Sequence, residues 1–436
     1  MTNLRPFQIV LLAGSAFMFV AAIVAVTLYK PDNNTDPKFS DEIEIWGTLP
    51  KSLFAERINA ISNKDSRFNQ VSYEAYDESV FIDEFINALA EGRGPDLVVI
   101  THEQLVNLRP KLYPIAYSKS FNLRNYQDLY VEGAEIFARP NGIYAFPLAV
   151  DPLVMYWNRD IFSSNNIAVP PRTWEELRND TVPRLTRTGG NFNIFQSTVA
   201  FGEYQNVRNA KEIISLLMMQ SGSAIVVEND NSYRVVVDTF TDNNIQGSTP
   251  ASTALSFYTE FSNPASSLYS WNRSLPQDRS RFLSGELALY FGYGSELESL
   301  QKSNPNLNFD MTLVPQGASA TVRRGYGKFY GFAIPLAAPD KLAAQEVAVM
   351  LADQDNGTVI ANSLGMSSAR RDVIAGGAVD PFQSVRQEAA LIARGWLEPS
   401  SVTNSIFKTM VEDITSGRLQ VTESVADMAE RLRLAF

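Results

Sequence analysis

One carboxylate stands out for where it sits. In FPLAVDPLVMYWNRDIF, Phe146 to Phe162, Asp151 lies within an apolar run between Pro147 and Pro152. Burying an unpaired carboxylate costs several kcal/mol, so Asp151 needs donors, either a backbone amide or a hydroxyl of a bound solute. Thr101 and His102 close a second apolar run, DLVVI, at its carboxyl end, where open α/β sheets place ligands. Other chemistries are excluded by composition. Cysteine is absent, which removes disulfides, thiolate metal sites, cysteine nucleophiles and a lipid anchor on an N-terminal cysteine. With His102 the single histidine, a multi-histidine metal site is impossible and a serine triad would have to use that residue. The stretch GYGKFYG, Gly325 to Gly331, matches neither phosphate-binding glycine pattern, so no phosphate loop is expected there. No cofactor and no metal are expected.

The elements that position these residues begin with the prolines. Proline cannot donate to a sheet ladder and is confined to edges, ends and places where a strand leaves its sheet. The run Leu148 to Trp157 therefore changes surroundings partway, as a crossing between two lobes would, with Asp151 facing the cleft. The length agrees: 436 residues exceed the roughly 250–300 at which a single core stops growing. Lys plus Arg number 37 against 48 Asp plus Glu, a net charge of −11, which argues against nucleic acid as a partner.

Strand and helix signals alternate along the chain. EIEIWG (Glu42 to Gly47) alternates as a half-buried strand, and Leu53 to Ile61 follows with helical spacing. Val80, Phe81, Phe85 and Leu89 recur on one helical face that Gly92 ends. Leu97 to Ile100 is then continuous and apolar, as a sheet covered on both faces requires. This β-α-β order means an α/β lobe. A second such region runs from Thr173, a helix cap before Trp174, to about Leu313, with a helix over Ala210 to Gln220. GFAIPLA, Gly331 to Ala337, carries another proline and reads as the return crossing. The expectation is a two-lobed α/β fold hinged about a cleft, lobe 1 near 41–149 and 330–375, lobe 2 near 150–329 and 376–436.

Ahead of the folded body, Phe7 to Tyr29 carries no charge. As a helix it would span roughly 34 Å, enough for a bilayer core of ~30 Å. A retained transmembrane anchor is expected, the rival being a cleaved signal peptide, which normally has a shorter apolar region. Arg5 precedes the segment, placing residues 1–6 in the cytoplasm and the body outside it. Residues 30–40 read as a polar tether.

Several stretches together resemble the extracellular solute-binding proteins of ATP-binding-cassette (ABC) importers, the sugar-binding family that includes maltose-binding protein. They are Gly94-Pro95-Asp96-Leu97, Phe146-Pro147, Tyr156 to Phe162, and PRTWEEL from Pro171 to Leu177. FLSGELAL from Phe282 to Leu289, Gly331 to Pro335, and Gly417 before a helix ending Ala429-Glu430-Arg431-Leu432 complete the set, in the family's order. Two departures stand: the lipidated cysteine is missing, so the N-terminal helix would anchor the chain, and Trp157 separates Tyr156 from Asn158.

The resemblance implies a periplasmic-binding-protein-like fold and a membrane-anchored extracellular receptor. Such a receptor captures a small solute, most of all a carbohydrate, and delivers it to ABC permease and ATPase subunits as a monomer. It places Trp46, Gly47 and Thr48 at the cleft rim. It puts the loops AFGEYQN and YFGYGSE near ligand, with Tyr204 and Tyr293 (beside Gly292) for stacking, Glu203 as a polar contact and Tyr326 a further ring. Flat rings suit the C–H faces of a sugar, and carboxylates its hydroxyls. Trp174 and Trp396 read as structural. The alternatives are an anchored glycoside hydrolase, which needs two carboxylates roughly 5–10 Å apart, and a nutrient receptor with no transport role.

Overall fold

A computed structural model describes Phe39 and residues 42–119, 121–229, 232–239, 248–399 and 402–436. The anchor expected over Phe7 to Tyr29 lies outside them. Among the described residues no helix is long and apolar enough to cross a membrane.

The first lobe starts as three parallel strands, β1 (Ile43–Gly47), β2 (Val71–Ala75) and β3 (Leu97–Thr101), with β1 in the middle. Two helices make the crossovers, α1 (Lys51–Ser62) and α2 (Phe81–Ala90). In α2, Phe81, Phe85 and Ala88 face the core, and Asp83 and Glu84 occupy the first turn, where the helix dipole favours acids. Val80 caps that helix from outside and stays exposed. β3 is buried along its whole length.

β4 (Phe146–Asn158) joins the lobes. Its first half pairs antiparallel with β8 (Gly325–Ala333), Phe146 opposite Phe332 and Asp151 opposite Lys328. Its second half pairs with β6 (Leu287–Tyr293), Leu153 opposite Tyr293, and with β7 (Phe309–Thr312). The core changes at the same point: Val150 belongs to the first apolar cluster and Leu153 to the second. Pro147 sits where the β4–β8 register shifts, a bulge that needs no donor, and Pro152 sits at the change of neighbours.

β8 returns through the same gap. Tyr326 packs in the second core and Phe329 in the first, so the crossing lies at 327–328, ahead of the expected GFAIPLA segment. The spot is tight: a Cβ on Gly327 would lie 2.9 Å from that of Ala393. The chain passes a third time over 389–397, Ala389 and Trp396 in the second core, Ala390, Ala393 and Leu397 in the first. That is later than the boundary expected at 375.

The second lobe adds β5 (Ile194–Val199) parallel to β6, with α3 (Ala210–Gln220) and α4 (Pro250–Glu260) covering it. α3 is buried almost all round. α4 opens with Thr249 as cap, Ser252 completing the capping box and Pro250 at the first helical position. Thr173 caps its helix as expected, reciprocally with Glu176.

Candidate functional site

At the crossing, alternation puts Tyr326, Lys328 and Tyr330 on one face of β8 and Phe329 on the other. Lys328 stands opposite Asp151, and the face they share looks toward the ends of β3 and β6. Asp151 is 4% exposed. Its Oδ1 accepts the Ser295 N–H at 3.0 Å and its Oδ2 the Ser295 hydroxyl at 2.5 Å. Burial pushes its carboxyl up to about 7, the Ser295 bonds and Lys328 holding it back from rising further.

Charges from both lobes converge here. Glu103, just past β3, accepts from Lys211 Nζ at 2.8 Å through one oxygen and from Lys328 Nζ at 3.1 Å through the other. Lys211, in the first turn of α3, also reaches Glu398 at 2.9 Å and Glu212 at 3.6 Å. The Tyr326 hydroxyl lies 3.3 Å from Glu103 and 3.4 Å from Glu398. Burial disfavours the charge on both ammonium groups, but the surrounding carboxylates outweigh it and hold both lysines protonated. Burial likewise opposes charge on Glu103, and there Lys211 and Lys328 win and lower its pKa. Glu398 is the deeper of the pair, and desolvation raises it. Lys328 also stands 5.7 Å over the Tyr293 ring, a cation–π distance.

Of the other expected residues, Tyr293 lies at the centre of this cluster, its charged neighbours being Glu212, Glu103 and Asp151. Its hydroxyl is buried without a partner. Tyr204 donates its hydroxyl to Asn404 at 3.1 Å, within the field of Glu212, Lys211 and Glu398. Glu203 turns elsewhere, to Arg273 at 3.2 Å. Gly292 leaves room for the Tyr290 and Tyr156 rings. Trp46 packs on Tyr76 with ring centroids 4.6 Å apart, and its Nε1 is buried and unpartnered. Gly47 leaves space for the Tyr73 hydroxyl, and Thr48 is half-buried. The Thr101 N–H donates to Gln104, closing the turn after β3.

His102 is fully buried, and Nδ1 accepts the Phe329 N–H at 3.2 Å. Burial holds the ring down to about 3, so it is neutral and Nε2 carries the hydrogen. Donor atoms of His102, Glu103 and Glu398 lie within 4.8 Å of one another, a spacing a metal could use. They do not fit one here: the imidazole lone pair is taken by the Phe329 N–H, which leaves two carboxylates and no third ligand.

Sequence reasoning missed Lys211, Lys328, Glu103, Glu398, Glu212 and Ser295. A signal existed for Lys328: a lysine between Gly327 and Phe329 in an otherwise uncharged strand needs a carboxylate neighbour. None existed for Lys211, whose nearest partners, Glu103 and Glu398, are remote in sequence.

A separate opening of about 610 Å³ lies between the lobes, lined by Glu132, Arg139, Glu228, Arg324, Arg394 and Trp396 among others. Gly133 beside it packs on Phe329, so this opening is on the side of β8 away from Lys328. There Glu228 of the second lobe pairs with Arg109 and Arg139 of the first.

The architecture is shared with solved proteins. The structure superposes on a cyclo/maltodextrin-binding protein complexed with maltotetraose at a TM-score of 0.72, 13% identity, over 93% of this chain and 98% of that one. It also superposes on an ABC transporter solute-binding protein from Thermotoga lettingae TMO bound with α-D-tagatose at 0.64, 18% identity, over 91% and 100%. At those identities the likeness establishes the fold alone. No curated protein sequence matches. The model of the family described as bacterial extracellular solute-binding protein matches residues 60–382, which spans both lobes and implies an extracytoplasmic location. With that match covering most of its 436 residues, the chain belongs to the bacterial extracellular solute-binding proteins.

Proposed function

We propose that the chain is a receptor that closes on a small carbohydrate or oligosaccharide between its lobes and delivers it to the permease of an ABC importer. One observation carries the reading: Asp151, Tyr293, Tyr326 and Lys328 meet at the crossing with Lys211 of the second lobe and Glu103 of the first. Rings and ionic groups from both sides are what a polyhydroxylated solute requires. Contacts shared by two lobes are stronger when the cleft is shut, and only such differential binding shifts a hinge equilibrium.

In this reading Asp151 and the three tyrosines Tyr204, Tyr293 and Tyr326 touch the solute, with Trp46, Gly47, Thr48 and Thr101 on the first-lobe side. His102 lies beneath them with its Nε2 hydrogen unpartnered, and Glu203 plays no direct part. Residues 7–29 hold the monomeric receptor to the membrane, and the solute leaves unaltered. Thermal unfolding of the full-length chain against mono- and oligosaccharides tests this, with each mixture analysed for cleavage. A saturable rise in melting temperature with intact sugar supports a receptor, since a ligand of the native state alone stabilises by mass action. No shift with any sugar rules out carbohydrate, and released product would put a glycosidase first.

A further inference from the structure

Lys211 is in the first turn of α3, yet its side chain is 7% exposed and its ammonium is ringed by Glu103, Glu398 and Glu212. With Asp151 opposite Lys328, and Glu78 at 3.5 Å from the same lysine, carboxylates outnumber ammonium groups around the crossing. The cluster is built to hold positive charge, and it holds its own.

A second group at the cluster lacks a partner. His102 is wholly buried and its Nδ1 is occupied by the Phe329 N–H, which leaves the Nε2 hydrogen with no acceptor. One ring nitrogen of His102 lies within 4.8 Å of carboxylate oxygens of Glu103 and Glu398. A donor left over beside carboxylates that demand a cation is complementary to one ligand fragment: an ammonium with a hydroxyl or ring oxygen next to it.

Exchange decides the class of solute. A neutral sugar that pushed Lys211 aside would leave the buried Glu398 facing Glu103 with Lys328 the one cation remaining beside them, a strongly penalised state. A solute bringing its own ammonium leaves the charge count unchanged, while the displaced lysine keeps its stem along the protein and its head in water. We propose that this cluster recognises the ammonium of the solute, that the solute is an amino sugar or a short oligomer of amino sugars, and that Lys211 is an internal competitor filling the site when it is empty. This rests on the receptor reading above.

The test compares glucosamine with glucose on the full-length chain by calorimetry, and methylammonium chloride with potassium chloride by thermal unfolding, for the parent, Lys211→Met and Lys211→Arg. The parent should bind glucosamine roughly tenfold or more tighter than glucose. Lys211→Met should bind glucosamine tighter still and gain melting temperature from methylammonium, whereas the parent and Lys211→Arg should gain none. Should Lys211→Met fail to fold, Glu398→Gln takes its place, and it should narrow the preference for glucosamine. Equal affinity for both sugars overturns the proposal and leaves the receptor reading standing. Rescue by methylammonium with no binding of any sugar keeps the ammonium site and removes the carbohydrate. Absence of both removes both.

Discussion

Asp151→Asn should make the protein more stable at neutral pH while abolishing solute binding. The buried carboxyl has its pKa raised from 3.8 to about 7, so between those values the folded chain holds a proton that the unfolded chain releases. The group's contribution is therefore full below about pH 4 and is lost as pH rises through about 7. From pH 5 to pH 7.5 the loss integrates to about 2.5 kcal/mol. Asparagine carries no such penalty, and its Oδ1 still accepts the Ser295 N–H. Urea unfolding of parent and variant across that range measures the difference, and the subtraction cancels every other titrating group, including Asp278, which burial also pushes up to about 7. The stability gap should widen by about 2.5 kcal/mol in favour of the variant toward pH 7.5. A gap that stays constant with pH would refute the raised pKa and with it the argument that burial dominates at this carboxylate.

His102 works in the opposite sense. Its pKa is depressed from 6.5 to about 3, so stability is present above the unfolded value and lost as pH falls; His102→Gln should remove about 2 kcal/mol of that loss between pH 7.5 and pH 5, read from the same urea curves. Ser295→Ala deletes the 2.5 Å bond to Asp151 and should cost about 1.5–3 kcal/mol at pH 8, where the carboxylate is charged, and clearly less at pH 5. Gly395→Ala would place a Cβ 2.4 Å from the His102 ring, and thermal unfolding should register a loss of about 1–3 kcal/mol.

The crossing was legible because proline chemistry is local. Pro147 and Pro152 lack donors wherever they sit, so their place in an apolar run already required a break in pairing, and the structure puts a bulge at one and a change of neighbours at the other. Asp151 was legible for a similar reason, since a carboxylate there needs donors; that Ser295 provides them was not, because the turn after β6 lies far along the chain. The third crossing was expected at 375, and its actual place left no trace in the sequence. Ala389, Ala390 and Ala393 pack equally well in either core, so no pattern breaks where the chain passes over. Lys211 and Glu212 read as the ordinary charged start of a helix, and only the docking of two lobes encloses them. Tyr326 was picked for its ring alone, whereas its neighbour Lys328 followed from strand alternation that could have been applied to GYGKFYG.

The threefold passage of the chain between its cores bears on how the protein comes into being. The first lobe's interior draws on residues from Phe39 to Leu397, so its last strand partner and closing segment emerge only near the end of synthesis. At roughly 5–20 residues per second the N-terminal part waits tens of seconds with apolar strands uncovered, and its high contact order slows collapse further. Neither lobe can be excised as a contiguous piece. Until residues near 397 arrive, the β1–β3 segment lacks part of the apolar surface that covers it in the finished lobe.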